Sequence, residues 1–514
     1  MSQKIDAADV ARHASPDDCW VVVNGKVYDL TKFAPEHPGG ADIVYTWAGK
    51  DASEIYNEFH TPQRIERELP ASDKLGELDE STVTETWRQR SSSSATQPLV
   101  GAAGTSHAAA RASSISGEER NPPPLSAIIN LRDFEEAFAT HGSAKPNAYI
   151  AGASNDLLTL HANARDWQRL WFRPRVLRNV GSVSMATTML GQPVSMPVWI
   201  APMGVAKTGG PEAEGALARG AAAAGIIHCV STVSSLTVEE TVASVPDDKS
   251  QHPFWFQLYV NHDRPKTEAA LRRLEALPQV KAVLMTVDLP VISKREADER
   301  LRAADLGPML VDGKPVAGPK GGGGIAKSTG NFIDSTMTWD DLSWLRQCTK
   351  LPLMLKGVQS AADARKALQM GCAGIVISNH GGRALDNAPS SVLVLLELRR
   401  DCPEVFEKME VYVDGGIRRG SDILKAFCLG ARGVGVGRPF QCAIAYGTEG
   451  VEHCASILKD ELETAMRLCG ITDLAQVRGD MSWLNTTELD RLLPPTEERY
   501  PPLRSFWGRL WSKL

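Results

Sequence analysis

A histidine, two glycines and an arginine stand together in Ser378-Asn379-His380-Gly381-Gly382-Arg383, at the end of an apolar run. An imidazole exchanges protons near neutral pH, and a guanidinium can grip a carboxylate through two parallel hydrogen bonds. The glycines leave backbone room for a planar ligand. A base and a cation about one turn apart specify an acidic substrate that gives up a proton. A second pair of candidate ligands lies near the N-terminus: His37, in His37-Pro38-Gly39-Gly40, and His60, 23 residues further on. Two neutral imidazoles on opposite faces of a flat macrocycle leave its iron six-coordinate, which suits electron transfer better than oxygen chemistry.

The elements that must position these groups are legible as apolar runs. Eight of them, at 197–203, 225–232, 254–260, 282–288, 351–357, 373–380, 410–416 and 431–437, alternate with helix-like segments. Continuous apolar runs indicate parallel strands buried on both faces, and eight such units predict an α/β fold, a closed (β/α)8 TIM barrel, with an open doubly wound sheet as the competitor. Gln257, Tyr259, Thr286, Asp288, Lys356, His380, Asp414 and Arg438 fall at or just past the run ends, on the face where barrels build their sites. A lysine at a buried strand end, Lys356, needs an anionic partner. The stretch 298–330, with its GPKGGGG, reads as an excursion after the fourth strand.

The barrel is expected over 125–485, followed by a tail over 486–514. Ahead of it, residues 1–78 form a separate small α+β unit with strands on either side of the turn Asn24-Gly25. Between them, 79–124 is rich in Ser, Ala, Gly and Pro and reads as a flexible linker. A formal charge of -6 with 43% hydrophobic residues supplies no basic surplus for a nucleic-acid partner. Nine scattered cysteines without a CxxC argue for reduced thiols and against a zinc site or covalently attached haem. No run is long enough to span a membrane, and the first ten residues lack a secretory pattern. The chain ends in Ser512-Lys513-Leu514, a tripeptide read by the peroxisomal import receptor, so a peroxisomal address is expected, with the cytoplasm or the mitochondrial intermembrane space as alternatives.

WVVVNGKVYDLTKFAPEHPGG (20–40) and EIYNEFH (54–60) resemble the cytochrome b5 family across the whole small unit. The resemblance makes His37 and His60 the axial ligands of a non-covalent haem b. APMGVAK, QLYVN, TVD, KGVQ, SNHGGRALD, DGGIRRG and GVGRPF, in that order, resemble the FMN-dependent 2-hydroxy-acid oxidase and dehydrogenase family over about 125–480. That likeness implies His380 as general base and Asp288 as the carboxylate that orients its ring. It implies Arg383 and Tyr149 on the substrate carboxylate, Tyr259 on the 2-hydroxyl, and Arg295 as a second substrate-side arginine. For FMN it implies Ala201, Pro202 and Met203 through backbone atoms, and Ser231, Gln257 and Thr286 at the ring. Lys356 then stabilises negative charge on the reduced ring. Asp414 takes the ribityl chain, with Gly415, Gly416, Arg418, Gly437 and Arg438 around the phosphate.

Lys294 and Ile150 stand where the family usually has an Arg and a Tyr, and Met203 and Val233 occupy positions that in the family border the substrate side chain. The bulk of Met203 points to a small 2-hydroxy acid such as lactate or glycolate. With a haem unit in front, electrons are expected to pass from FMN to haem and then to a cytochrome c-like acceptor. An oxidase that reduces O2 to H2O2 is the alternative, and a haem-binding scaffold with an inactive barrel is a third reading. A homotetramer is implied by the resemblance alone.

Overall fold

The computed structural model describes residues 4–36, 41–59, 65–66, 69–84, 87, 122–300, 310–311, 314–315, 324–330 and 332–495. All eight expected runs form strands: β1 (Val198–Ile200), β2 (Ile227–Ser231), β3 (Phe254–Leu258), β4 (Val280–Thr286), β5 (Leu353–Val358), β6 (Gly374–Ile377), β7 (Glu410–Asp414) and β8 (Gly433–Val436). They close into a parallel barrel in chain order, β8 pairing back to β1 through Val434↔Val198 and Val436↔Ile200. The open-sheet competitor is thereby excluded.

Side chains alternate along each strand, so one set of positions fills the barrel and the other faces the helices. Inside lie Trp199, Ile227, Cys229, Trp255, Ala282, Leu284, Met354, Val376 and Tyr412, in contact with Met189 and Val194 of a hairpin (Thr187–Met189, Gln192–Val194) that closes the lower end. Trp199 and Trp255 occupy so much of this space that β8 must yield. A Cβ at Gly435 would stand 2.6 Å from the Trp199 ring, and one at Gly433 2.6 Å from the Met189 sulfur. The glycines of GVGV are thus the complement of two interior indoles. The outward set, including Val198, Ile200, Phe254, Phe256, Val283, Leu355, Ile377 and Val413, packs beneath the helical ring.

Two residues above the apolar interior, the same inward column turns polar: Ser231, Gln257, Thr286, Lys356 and Asp414 continue the two-residue period of 229, 255, 284, 354 and 412. The barrel therefore carries an aromatic and aliphatic floor under a polar upper layer.

In the N-terminal unit a five-stranded sheet runs in the order Lys4–Ile5, Lys74–Leu78, Lys26–Asp29, Asp18–Val23, Ala14–Ser15. Asn24 and Gly25 take φ of 51° and 76°, the left-handed pair that a two-residue hairpin requires. Its packing runs on past residue 78, because the Trp87 side chain is buried and its indole N–H donates to the Gly49 carbonyl at 3.1 Å. The helix Ser53–Phe59 of this unit lies beside the turn Ala206–Thr208, and Ile55 packs against the barrel's outer core. At the other end Leu489 is buried and Arg400 Nη2 donates to the Pro494 carbonyl at 2.8 Å, so the first part of the expected tail belongs to the barrel. Most of the expected excursion, and the terminal Ser512-Lys513-Leu514, lie outside the described residues.

Candidate active site

At the C-terminal ends of the strands a cleft is lined by Tyr149, Ala201–Met203, Ser231, Gln257, Tyr259, Arg295, Lys356, His380, Arg383, Asp414–Arg418 and Gly437–Arg438. Two expected site residues stand just behind this wall. Thr286 Oγ1 accepts a hydrogen bond from Gln257 Nε2 at 2.8 Å, and Ser231 Oγ donates to Gln257 Oε1 at 3.0 Å, so the amide has one orientation. Asp288, its carboxylate wholly buried, reaches His380 Nδ1 with Oδ1 at 3.1 Å.

The far nitrogen of that imidazole, Nε2, lies 3.4 Å from the Tyr259 hydroxyl and faces the cleft. Burial lowers the pKa of His380, and the Asp288 charge only partly restores it. Burial also works against the Asp288 carboxylate, but the charges of His380 and Lys356 outweigh it and hold its pKa below the usual value. At neutral pH the pair is a neutral imidazole backed by a carboxylate: a base with its free lone pair turned to the cleft.

His380 has φ of +60°, and Gly381 and Gly382 follow at +64° and +82°. A Cβ at Gly382 would meet the Leu160 backbone nitrogen at 2.7 Å. Three successive left-handed residues throw the imidazole and then the guanidinium over the barrel mouth. Two residues that the sequence reading passed over hold this turn. Ser378 Oγ accepts from the His380 amide at 3.0 Å, and Asn379 Oδ1 from the Gly382 amide at 3.1 Å. Asn379 exchanges paired amide bonds with Asn163 at 2.8 and 2.9 Å.

Ser378 also accepts from Lys356 Nζ at 3.1 Å, and the same ammonium meets Asp414 Oδ2 at 3.3 Å. Burial opposes the Lys356 charge, but Asp414 and Asp288 more than compensate, so the amine's pKa is raised and it stays protonated. The second oxygen of Asp414 is buried without a hydrogen-bond partner among the described residues.

Four guanidinium groups converge on the other side of the cleft. Arg383 donates from Nε to the Gly152 carbonyl at 3.0 Å and from Nη2 to those of Tyr149 and Ile150, the C-terminal end of the helix Ala144–Ala151. Nη1 makes none of these bonds. Burial, then repulsion from Arg295, brings the pKa of Arg383 down to about 10. Arg295 Nη2 donates to the Arg383 carbonyl at 3.3 Å, while its Nε is buried without an acceptor among the described residues. Lys294 turns outward to Glu296 at 3.2 Å and takes no part. Arg438 donates to the Gly381 carbonyl, and its Nε too is buried without an acceptor among the described residues. Burial, then Arg383 and Arg418, pulls Arg438 well below its ordinary pKa. Arg418 is committed to Glu135 through two bonds of 2.8 and 2.7 Å, so it borders the cleft with most of its donors spent.

Mutually repelling guanidiniums with idle buried N–H groups form a site made for anions. The arrangement fits FMN and a carboxylate together. Gly437 and Arg438 stand after β8, where barrels bind phosphate, and Gly437 has no atom closer than 3.8 Å to an added Cβ. Lys356 and the oriented Gln257 lie across the barrel axis, where the polar ring would sit. Gly415 and Gly416, at φ of +94° and +84°, are needed for the backbone itself, since a Cβ at 416 would meet the Asn163 carbonyl oxygen at 2.3 Å. Tyr149 extends its hydroxyl to the Gly204 carbonyl at 3.5 Å, beside Arg383.

His37 and His60 lie outside the described residues. The helices next to them in sequence, Ala41–Thr46 and Ser53–Phe59, both pack on the strand Asp18–Val23 over a core of Val21, Val23, Tyr28, Leu30 and Val44.

Comparison with known proteins matches residues 140–484 to the FMN-dependent dehydrogenase model and residues 6–79 to that of the cytochrome b5-like haem/steroid binding domain. An L-lactate dehydrogenase (cytochrome) of Saccharomyces cerevisiae is 39% identical over 510 residues, covering 97% of this chain and 83% of that protein. An L-lactate oxidase of Nostoc is 39% identical over 370 residues, covering 70% of this chain and 99% of that one. Among solved structures, the flavin-binding domain of baker's yeast flavocytochrome b2 superposes with a TM-score of 0.64 at 37% identity, covering 75% of this chain and 95% of that one. The chain belongs to the FMN-dependent dehydrogenase family, with a cytochrome b5-like haem-binding domain ahead of its barrel.

Proposed function

We propose that this protein oxidises a small L-2-hydroxy acid, L-lactate or glycolate, to the 2-keto acid and passes the electrons through haem b to an external acceptor such as a cytochrome c-like protein. The observation that carries the reading is the opposition, across one cleft, of a neutral His380 backed by Asp288 and the idle donors of Arg295, Arg383 and Arg438.

Oxidation of a 2-hydroxy acid to a 2-keto acid releases two electrons and two protons. Arg383, with Tyr149 and Arg295, holds the substrate carboxylate, which fixes C2 beneath the imidazole. Tyr259 hydrogen-bonds the 2-hydroxyl, and its burial-raised pKa keeps the phenol protonated and donating. His380 Nε2 takes one of the released protons, and Asp288 stabilises the imidazolium so formed. Bound FMN supplies a two-electron acceptor that can release electrons singly, a chemistry no side chain here provides. Lys356 offsets the negative charge that arises at the ring. His37 and His60 would ligate the haem iron.

The related L-lactate oxidase favours a second reading, in which O2 takes the electrons and H2O2 is formed. The terminal Ser512-Lys513-Leu514 favours it too, since peroxisomes dispose of peroxide. Import through that tripeptide and assembly as a homotetramer are parts of the proposal. Anaerobic stopped-flow mixing with L-lactate and with glycolate, following flavin and haem absorbance separately, tests it. Haem reduction trailing flavin reduction is expected. A haem that stays oxidised in that mixture, with rapid reoxidation of the reduced flavin once O2 is admitted in a second mixing step, would transfer the assignment to the oxidase.

A further inference from the structure

Gly357 occupies an irregular place in the barrel. Along β5 the inward column runs Met354, Lys356, and the ladder to β6 pairs Lys356 with Val376 but Val358, not Gly357, with Ile377. Gly357 is thus the extra residue of a β-bulge, and Val358 returns to the outer face. On the opposite edge β5 continues to follow β4, the Val287 amide donating to the Lys356 carbonyl at 2.9 Å, which brings Asp288 directly over Gly357. A Cβ at 357 would lie 2.6 Å from Asp288 Cβ, 2.7 Å from its Cγ and 2.8 Å from its backbone nitrogen, and Gly357 has φ of +112°. No side chain, however small, fits while Asp288 stays where it is.

We propose that Gly357 is a positioning residue for proton transfer: the bulge lets the Asp288 carboxylate stand against His380 Nδ1 while Lys356, one residue earlier, faces the cofactor ring. The inference deepens the reading of Asp288 and His380 as the base pair and rests on it. One bulge then serves both charges of the site: Gly357 leaves room for the carboxylate that follows β4, and Lys356, its neighbour on β5, carries the ammonium. Asp288 Oδ1 is only 3.1 Å from the imidazole, so a displacement of about 1 Å breaks the contact.

The test is a cycle of Gly357→Ala, Asp288→Ala and the double variant in the full-length, FMN-loaded protein. Readouts are kcat, KM and the pH dependence of kcat/KM with L-lactate. In Gly357→Ala, kcat is expected to fall on the order of 10²-fold with KM little changed. The acidic limb of kcat/KM should move to lower pH, as in Asp288→Ala, because the imidazole loses the charge that sustains its basicity. In the Asp288→Ala background Gly357→Ala should add no further loss. Equal losses in both backgrounds, or a Gly357→Ala enzyme with the parent's pH profile, overturn the inference. If Gly357→Ala alone fails to fold but Gly357→Ala/Asp288→Gly, which removes the Cβ and Cγ that the new methyl would meet, folds and keeps FMN, the clash with the Asp288 side chain is the cause and the inference stands. If both fail, glycine serves the backbone only and the inference falls. An Asp288→Ala enzyme with parental rate and pH profile would instead remove the base-pair reading itself.

Discussion

Replacing Lys356 by Met should damage the apoprotein before any catalysis is considered. The ammonium is 4% exposed and Asp414 8%, with Nζ 3.3 Å from Oδ2. Replacement leaves Asp414 as a buried carboxylate with one oxygen already unpartnered, and takes from Ser378 Oγ the N–H donor it accepts. Breaking a buried pair from one side costs about 3–5 kcal/mol, whereas removing both charges costs far less. Lys356→Met should therefore lower the free energy of unfolding by about 4 kcal/mol at pH 7, and Lys356→Met/Asp414→Asn should recover most of that loss. Urea unfolding of the FMN-free proteins, followed by circular dichroism, separates this from any loss of cofactor binding. A double variant as unstable as Lys356→Met, or a single variant as stable as the parent, would refute the view that the two charges are held by each other.

Three other outcomes follow from the same geometry. Arg383→Met removes both the carboxylate clamp and three backbone bonds of the Ala144–Ala151 helix end, so kcat/KM for L-lactate should drop by roughly 10²-fold or more, read by steady-state kinetics. His228 and His252 are buried neutral, with pKa values pushed down by burial to about 3 and about 4. Depressed pKa values mean that the stability they contribute is present above the unfolded value near 6.5 and is lost as pH falls toward the folded ones. At pH 5 each should cost on the order of 2 kcal/mol, and His228→Gln should flatten that dependence in urea unfolding. His60→Ala in the full chain should abolish the haem absorbance while leaving L-lactate able to bleach the flavin.

The barrel was legible because its runs are long, apolar and evenly spaced, and because chemistry-bearing residues cluster at their ends. Ser378 was missed although the signal for it was present: it stands two residues beyond Val376, as Lys356 stands two beyond Met354. A serine in such a column is inconspicuous beside a lysine. Asn163 and Asn379 could not be paired from sequence, since 216 residues separate them and amides carry no charge pattern. The commitment of Arg418 to Glu135 was likewise invisible, because that glutamate lies on the helix Leu131–His141, far earlier in the chain. The match to the cytochrome b5-like model ends at 79, one residue past the expected boundary, yet Trp87 still packs on that unit through a single indole that no run of apolar neighbours announces.

The hairpin beneath the barrel has a consequence for traffic. With Met189 and Val194 below and Trp199, Trp255 and Tyr412 across the interior, the tube is stoppered from one end. Substrate and product must therefore use the opposite rim, the same rim beside which the helix Ser53–Phe59 rests. Entry and departure share that rim, so a slow product or a bulky acid that lingers there delays the next substrate.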